Sequence, residues 1–359
     1  MGSTKKALIA MSGGVDSSVA AAITKGLGYD CIGVTMRLSP YGDESAKNGA
    51  CCSQDDINDA KRVADGLDFP HHVFNFTDNF DKQVIRRFVE TYKNGGTPNP
   101  CVDCNRYIKF GHLFSHLSEL DCDYIVTGHY ARIEKDEQSG RYLLKKARNE
   151  SKDQSYFLYS FTQEQLAHTL LPLGEFESKE EVRELAEKHG FTNARKHDSQ
   201  DICFVRDGDY AKFIENYTGE YFPVGNFIDK DGNVLGKHSG IIHYTVGQRK
   251  GLGIALGKPA YVCDINSQSN TVTLTDNDGL YSDTLTAKDI NLISCDKIEG
   301  ELKVLAKIRY RQPAQPATVY QLDSDTLKIV FDRPQRAIAR GQSVVLYDGD
   351  TVVGGGIIQ

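Results

Sequence analysis

Apolar and polar positions along this 359-residue chain follow two rhythms. Up to about residue 205, short apolar runs alternate with longer stretches of helical spacing. Residues 7–11, 31–36, 71–76 and 124–127 read as strands, and residues 16–26, 54–67 and 80–92 read as helices. The second of these helices carries Ile57, Ala60, Val63, Ala64 and Leu67 three to four positions apart, the mark of one buried face. Such alternation predicts a parallel sheet covered on both faces, with ligands bound beyond the carboxyl ends of its strands. After about residue 205 helical spacing fades and glycine becomes frequent. Short β-rich runs follow at 260–265, 271–275, 302–310, 318–322, 327–331, 343–347 and 351–358, and Asp348-Gly349-Asp350 marks a hairpin. The predicted architecture is an α/β domain over 1–205, a small mostly-β linking domain over 206–277 and a C-terminal β-barrel over 278–359.

Composition adds exclusions. No run of 18 apolar residues exists, and the N-terminus lacks an apolar stretch followed by a small-residue cleavage site, so a cytoplasmic location is expected. Nine cysteines in a chain this long do not resemble a secreted disulfide framework. The net charge of −7 argues against a generally basic nucleic-acid binder. Two local stretches run the other way: residues 303–340 hold eight basic against three acidic residues, and residues 141–152 hold five against one. Local positive fields of this kind suit phosphate, although a solvated charged face gives the same count.

The first chemical candidate is the octapeptide Ala10, Met11, Ser12, Gly13, Gly14, Val15, Asp16 and Ser17. It follows a predicted strand and opens a predicted helix. Two glycines allow a tight turn and close approach of phosphate to backbone N–H groups at the helix start. Ser12, Ser17 and Ser18 add hydroxyls. No lysine follows the glycines, which separates this loop from the G-x-x-x-x-G-K-[ST] type. A plain glycine turn with an aspartate cap is the structural alternative.

Two cysteine segments come next. Cys101 and Cys104 lie in Thr97-Pro-Asn-Pro-Cys-Val-Asp-Cys-Asn105, where Asn105 is a candidate N-cap. Cys104 beside a helix start, with Arg106 and Lys109 near, would favour the thiolate. Half a zinc site is the alternative, but no second C-x-x-C completes one. Cys203 lies in Asp198-Ser-Gln-Asp-Ile-Cys-Phe204, and this segment alone favours a buried core thiol.

The Ser-Gly-Gly-Val-Asp-Ser loop resembles that of the ATP pyrophosphatases, whose adenine nucleotide α-hydrolase-like fold matches the predicted sheet. With both cysteine motifs, Val34-Thr-Met36-Arg, Thr127-Gly128-His129-Tyr130, Lys152-Asp153-Gln154, His243 to Gly253, Arg309-Tyr310 and Gly341-Gln342, the chain resembles the bacterial tRNA-specific 2-thiouridylase family over nearly its whole length. That resemblance implies ATP-dependent 2-thiolation of the wobble uridine (U34) of tRNA, with release of AMP and pyrophosphate. It implies nucleotide contacts from Ala10 to Ser17 and at Met36 and Gly128, with Asp16 a candidate magnesium contact. Cys203 would carry the persulfide and Cys104 would be the nucleophile, the pair ending as a disulfide. Asn99, Pro100 and Cys101 would meet the target base. His129, Lys152, Asp153, Gln154, Arg309, Tyr310 and Gln342 would contact tRNA, of the Lys, Glu and Gln types. A cysteine desulfurase or sulfur-relay protein would be the donor.

Cys101 departs from one common form of the family, which has aspartate there. That departure raises a variant of the same reaction, with a [4Fe-4S] cluster held by Cys101, Cys104 and Cys203. Two rivals remain: another pyrophosphate-loop enzyme making an amide, and a non-catalytic metal or RNA-binding protein.

Overall fold

The computed structural model describes residues 4–38, 53–196, 202–205 and 208–359. Cys51, Cys52 and residues 198–201, the start of the second cysteine motif, lie outside the described residues. The chain forms two compact units, each discontinuous in sequence. The first is Met1–Val84, Cys101–Arg206 and Asp350–Val352, and the second is Ile85–Pro100, Asp207–Gly349 and Val353–Gln359.

In the first unit β1 (Lys6–Ala10), α1 (Val15–Gly26), β2 (Asp30–Arg37), α2 (Gln54–Gly66) and β3 (His71–Asn75) alternate as the periodicity requires. The expected helix at 80–92 begins earlier, as α3 (Thr77–Phe80), and passes through a π-helical segment (Asp81–Ile85) into α4 (Arg86–Lys93). Next come α5 (Pro100–Asp103), a second π-helical segment (Cys104–Leu113) and α6 (Phe114–Glu119). They are followed by β4 (Tyr124–Val126), β5 (Ala131–Lys135), β6 (Tyr142–Lys146), α7 (Gln163–Ala167), β7 (Thr169–Leu170) and α8 (Lys179–Lys188). The sheet is parallel in the order β3-β2-β1-β4-β7. Ala7, Leu8 and Ile9 of its central strand are wholly buried, as a strand covered on both faces requires. Val19, Ala20 and Ala21 of α1 pack into the same core as Ala60, Val63 and Ala64 of α2. A Ser53–Asp56 capping box starts α2.

The antiparallel hairpin of β5 and β6 was not foreseen. Its Lys145 pairs with Thr351, and the buried Arg132 meets Asp350 at 2.6 Å and Glu134 at 2.8 Å. Asp350 and Thr351 stand some 200 positions downstream, beyond the reach of any local pattern.

The second unit holds α9 (Tyr210–Thr218) and a four-stranded sheet of β8 (Gly225–Ile228), β9 (Val234–His238), β10 (Tyr261–Asn266) and β11 (Thr271–Thr275), in the order β10-β11-β8-β9. Six further strands follow: β12 (Tyr281–Leu292), β13 (Leu302–Lys307), β14 (Gln315–Gln321), β15 (Leu327–Arg336), β16 (Ser343–Asp348) and β17 (Thr351–Ile358). They run β12-β15-β14-β13-β16-β17, and pairing of β12 with β17 closes the barrel. Val304, Ala306, Ala317, Val319, Leu327 and Ile329 point inward at every second position and fill it. Among the described residues no helix is long and apolar enough to cross a membrane.

Candidate active site

The order of the parallel sheet fixes where a ligand can bind. The chain builds outward from β1 through β2 to β3, then returns to the other side of β1 as β4, so the crevice opens at the carboxyl ends of β1 and β4. The Met11–Gly14 turn leaves β1 there, and Thr127, Gly128 and His129 leave β4 beside it. Met36, mostly buried, lies near the end of β2 next to β1. The nucleotide candidates are therefore brought together at one edge of the sheet.

The loop is braced by backbone and hydroxyls. Gly13 has φ +75°, and a Cβ there would stand 2.3 Å from the Asp56 carbonyl oxygen. Gly14 precedes α1 with no side-chain cap, so helix-start N–H groups are left for an anionic ligand. Ser17 Oγ accepts from Ser12 N at 3.2 Å and donates to the Gly14 carbonyl at 3.0 Å, as does Ser18 Oγ. These two hydroxyls shape the loop rather than point away from it. Gly128 presses on the same turn: a Cβ there would lie 2.7 Å from the Asp16 carbonyl carbon and 2.8 Å from Ser17 N.

Sequence reading missed the side chains that lock this loop from a distance. Lys179, the first residue of α8, places Nζ 2.6 and 2.7 Å from the two Asp16 carboxylate oxygens, and Tyr130 donates its hydroxyl to Oδ1 at 2.7 Å. The Lys179 ammonium also lies 5.6 Å from the centre of the Tyr130 ring. A magnesium ion on Asp16 would have to displace that ammonium, so the candidate contact does not fit as the side chains stand. Asn193, buried, donates to the Gly13 carbonyl at 3.0 Å and to Ser18 Oγ at 2.9 Å. Lys196 spans Asp56 at 2.6 Å and Asp59 at 2.9 Å. Burial alone would lower the Lys196 ammonium's pKa, but the two carboxylates hold it above the ordinary value. The Ser178 N-cap was the one legible signal for Lys179, since it puts that lysine at a helix start.

Cys104 sits differently from expectation. The helix begins at Pro100, and proline suits a first helical position because its missing N–H would have had no partner. Cys104 therefore lies beyond the first turn, where π-helical geometry begins. Asn105 does not cap. It is buried, donates to the Phe157 carbonyl at 3.2 Å, and its Oδ1 is buried without a hydrogen-bond partner. The Cys104 and Cys203 thiols are both half-buried, and Cys101 is exposed. α3 links their surroundings: Asn79 Nδ2 lies 3.0 Å from His112 Nε2 on the Cys104 segment, and Phe80 meets Phe204 edge-on at 5.7 Å. Among the described residues no three or more His, Cys, Asp or Glu side chains are grouped to hold a metal ion. Cys101, Cys104 and Cys203 as placed do not make the ligand set of a cluster.

The tRNA candidates divide by environment. His129 is buried, with Nδ1 2.8 Å from Thr127 Oγ1 and Nε2 3.4 Å from Lys109 Nζ. Burial, then the Lys109 charge, pushes its pKa well below the usual histidine value, so the ring is neutral. The buried Asp153 accepts from Ala147 N at 3.1 Å and from Ser155 Oγ at 2.8 Å, and Gln154 Oε1 accepts from Tyr130 N at 3.0 Å. Lys152 beside them is half-buried. In the second unit Arg309 donates to the Val246 and Ala337 carbonyls at 3.0 and 2.9 Å. Tyr310 lies under Lys307 at 5.4 Å. Gln342 donates to the Thr97 and Pro98 carbonyls at 3.1 and 2.9 Å, and so holds the chain leading into Asn99 and Pro100.

Comparison with known proteins gives three matching family profiles. They are described as a tRNA methyl transferase HUP domain over residues 5–207, a tRNA methyl transferase PRC-barrel domain over 211–276 and an aminomethyltransferase beta-barrel domain over 282–358. The chain is similar to tRNA-specific 2-thiouridylase MnmA of Clostridioides difficile (strain 630), 54% identical over 99% of this chain and 98% of that one. It is also similar to tRNA-specific 2-thiouridylase MnmA of Acetivibrio thermocellus, 54% identical over 99% and 100%. A solved 4-thiouridine synthetase–RNA complex with bound ATP is 15% identical, with a TM-score of 0.36 over 60% of this chain and 50% of that one.

Proposed function

Because the chain belongs to the tRNA-specific 2-thiouridylase family, we propose that it thiolates C2 of the wobble uridine of tRNA, using ATP to activate the carbonyl oxygen. One observation carries this reading beyond membership. The phosphate loop, closed on Gly128 at the switch point of the sheet, shares a compact unit with two half-buried thiols, Cys104 and Cys203. An amide synthetase of the same fold has no use for that pair.

The chemistry explains the division of labour. Oxygen leaves C2 of uracil badly, so the carbonyl oxygen first attacks the α-phosphorus of ATP and pyrophosphate departs. Residues Ala10–Ser17 cradle the phosphates on backbone N–H groups, with Met36 and Gly128 beside the nucleoside. A terminal sulfur on Cys203 then attacks C2 and AMP leaves with the oxygen. The Cys104 thiolate attacks the Cys203 sulfur, breaking the S–S bond. The freed sulfur remains on C2 as the thiocarbonyl, and a Cys104–Cys203 disulfide forms that an external thiol reduces. The base reaches this site only when flipped out of the anticodon loop, with Asn99, Pro100 and Cys101 nearest to it. Asp153, Gln154, Arg309 and Gln342 would support tRNA binding by holding backbone in place, and neutral His129 by its contacts with the Thr127 and Lys109 side chains.

The domains proposed are 1–205 for adenylation and sulfur transfer, 206–277 as the link and 278–359 as the barrel. A cysteine desulfurase or relay protein would supply persulfide sulfur, in the cytoplasm, to tRNAs of the Lys, Glu and Gln types.

The test is anaerobic purification, measurement of bound iron, and thiolation of tRNA with ATP and a persulfide source. Thiouridine formed by iron-poor protein, and lost in Cys104→Ala and Cys203→Ala, is the expected result. Activity that tracks bound iron and is lost equally in Cys101→Ala would replace the persulfide step with a cluster. No thiouridine under conditions that serve a control enzyme would overturn the function.

A further inference from the structure

Residues 245–261, whose opening Thr-Val-Gly-Gln-Arg-Lys-Gly-Leu-Gly is among the most unusual runs in the chain, have no part in the chemistry above. They contain Arg249, Lys250 and Lys258 and no acidic residue. All three basic side chains are exposed. The loop lines an open cavity of about 670 Å³ that includes Arg249, Gly251, Gly253, Gly257 and Lys258.

The base of this loop is pinned. Gly247 N donates to the Val262 carbonyl at 2.8 Å, Val262 N returns to Gln248 at 3.0 Å, and Arg309 holds the Val246 carbonyl at 3.0 Å. Leu252 is buried and Ile254 packs toward Gly236 of β9, which anchor the span between the cations. Gly251, Gly253 and Gly257 adopt φ of +75, +70 and +69°. Such turns bare backbone N–H groups to an anion. The Arg249 and Arg336 guanidinium groups lie 5.9 and 5.1 Å from the centre of one ring, that of Tyr261, which gives Arg249 a preferred seat. A glycine-rich loop with positive-φ turns and three exposed cations suits phosphate. Its open, spread-out form suits a chain of phosphates rather than one enclosed ion, and the nucleotide's own phosphates already have a loop in the other unit.

We infer that residues 249–258 form a binding site for the sugar–phosphate backbone of RNA, separate from the site for the target base. This rests on the proposed tRNA reading and extends it to a positioning surface that reads phosphate and not sequence.

The experiment measures tRNA affinity of wild-type protein and of Arg249→Ala/Lys250→Ala/Lys258→Ala between about 50 and 200 mM salt, a range over which phosphate contacts weaken strongly. The variant should bind tRNA at least about tenfold more weakly, with the slope of log affinity against log salt flattened by about 0.7 to 0.9 per contact removed. Arg249→Lys, which keeps the charge, should keep the slope. Unchanged affinity, or weaker binding with an unchanged slope, would overturn the inference while leaving thiolation intact. Should the triple variant fail to melt cooperatively, Lys250→Ala and Lys258→Ala singly decide by the same slope. Wild-type protein that forms no thiouridine, yet shows this charge-dependent RNA binding, would remove the enzymatic reading and keep the loop.

Discussion

The phosphate loop and the Cys104 helix lie in the same unit, yet they are built in opposite ways. Around the loop side chains remote in sequence hold the turn: Lys179 and Tyr130 meet Asp16, Asn193 donates to the Gly13 carbonyl although its own Oδ1 is buried without a partner, and Lys196 meets Asp56. Around Cys104 the helix departs from α geometry for ten residues, Asn105 keeps a buried oxygen without a partner, and Cys101 is exposed. Adenylation needs donors that do not move while charge develops, and rigid bracing supplies them. In the proposed sulfur transfer the Cys104 thiol has to reach the sulfur of a second cysteine, Cys203. A π-helical segment, a geometry frequent at functional sites, suits that role.

The comparison breaks most sharply at the thiols. Cys104→Ser and Cys203→Ser should each lower thiouridine formation about a thousandfold or more. Calorimetric titration should show ATP affinity unchanged, and a parallel loss of ATP binding would show that the two regions are not separable. Gly13→Ala tests the other side. Its Cβ would drive into the Asp56 backbone at a positive φ, so denaturant unfolding should report a loss of about 1–3 kcal/mol with weaker ATP binding. Lys179→Met should cost about 1–2 kcal/mol by leaving the Asp16 carboxylate without its cation, and Asp16→Asn added to it should recover part of that loss.

The smallest effect is a pH dependence. His129 stays neutral when folded because burial and then Lys109 depress its pKa well below 6.5, whereas the unfolded chain takes up the proton. Stability should therefore be full above about pH 6.5 and fall as pH drops below it, by at most about 1.4 kcal/mol per pH unit for this group. Burial lowers His71 and His238 in the same direction, so His129→Gln should make the acid slope gentler without abolishing it. An unaltered slope in urea unfolding at several pH values would show that His129 titrates normally.

Much of the α/β unit was legible because its information is local. The strand at 31–36, the helix at 54–67 and the Ser-Gly-Gly-Val-Asp-Ser turn each carry their own periodicity or punctuation, and residues 271–275 and 351–358 are strands with the bounds their sequence predicts. The Cys104 helix was misread for a reason that is also local. Two prolines hid a helix start at Pro100, and Asn105 was taken for its cap although a carbonyl of Phe157, remote in sequence, is what it meets.

By itself, then, the sequence determined the fold class, the strand–glycine-turn–helix at Ala10–Ser17 and, through its long motifs, the family. Only the tertiary structure decided which side chains lock that loop, that Asp350 seals Arg132, and that the basic run at 249–258 is an anchored, exposed loop. The reason is physical. Strands, helices and glycine turns are selected by interactions within a few residues, whereas an ion pair such as Asp16–Lys179 spans 163 positions and has no local signature until the chain has folded.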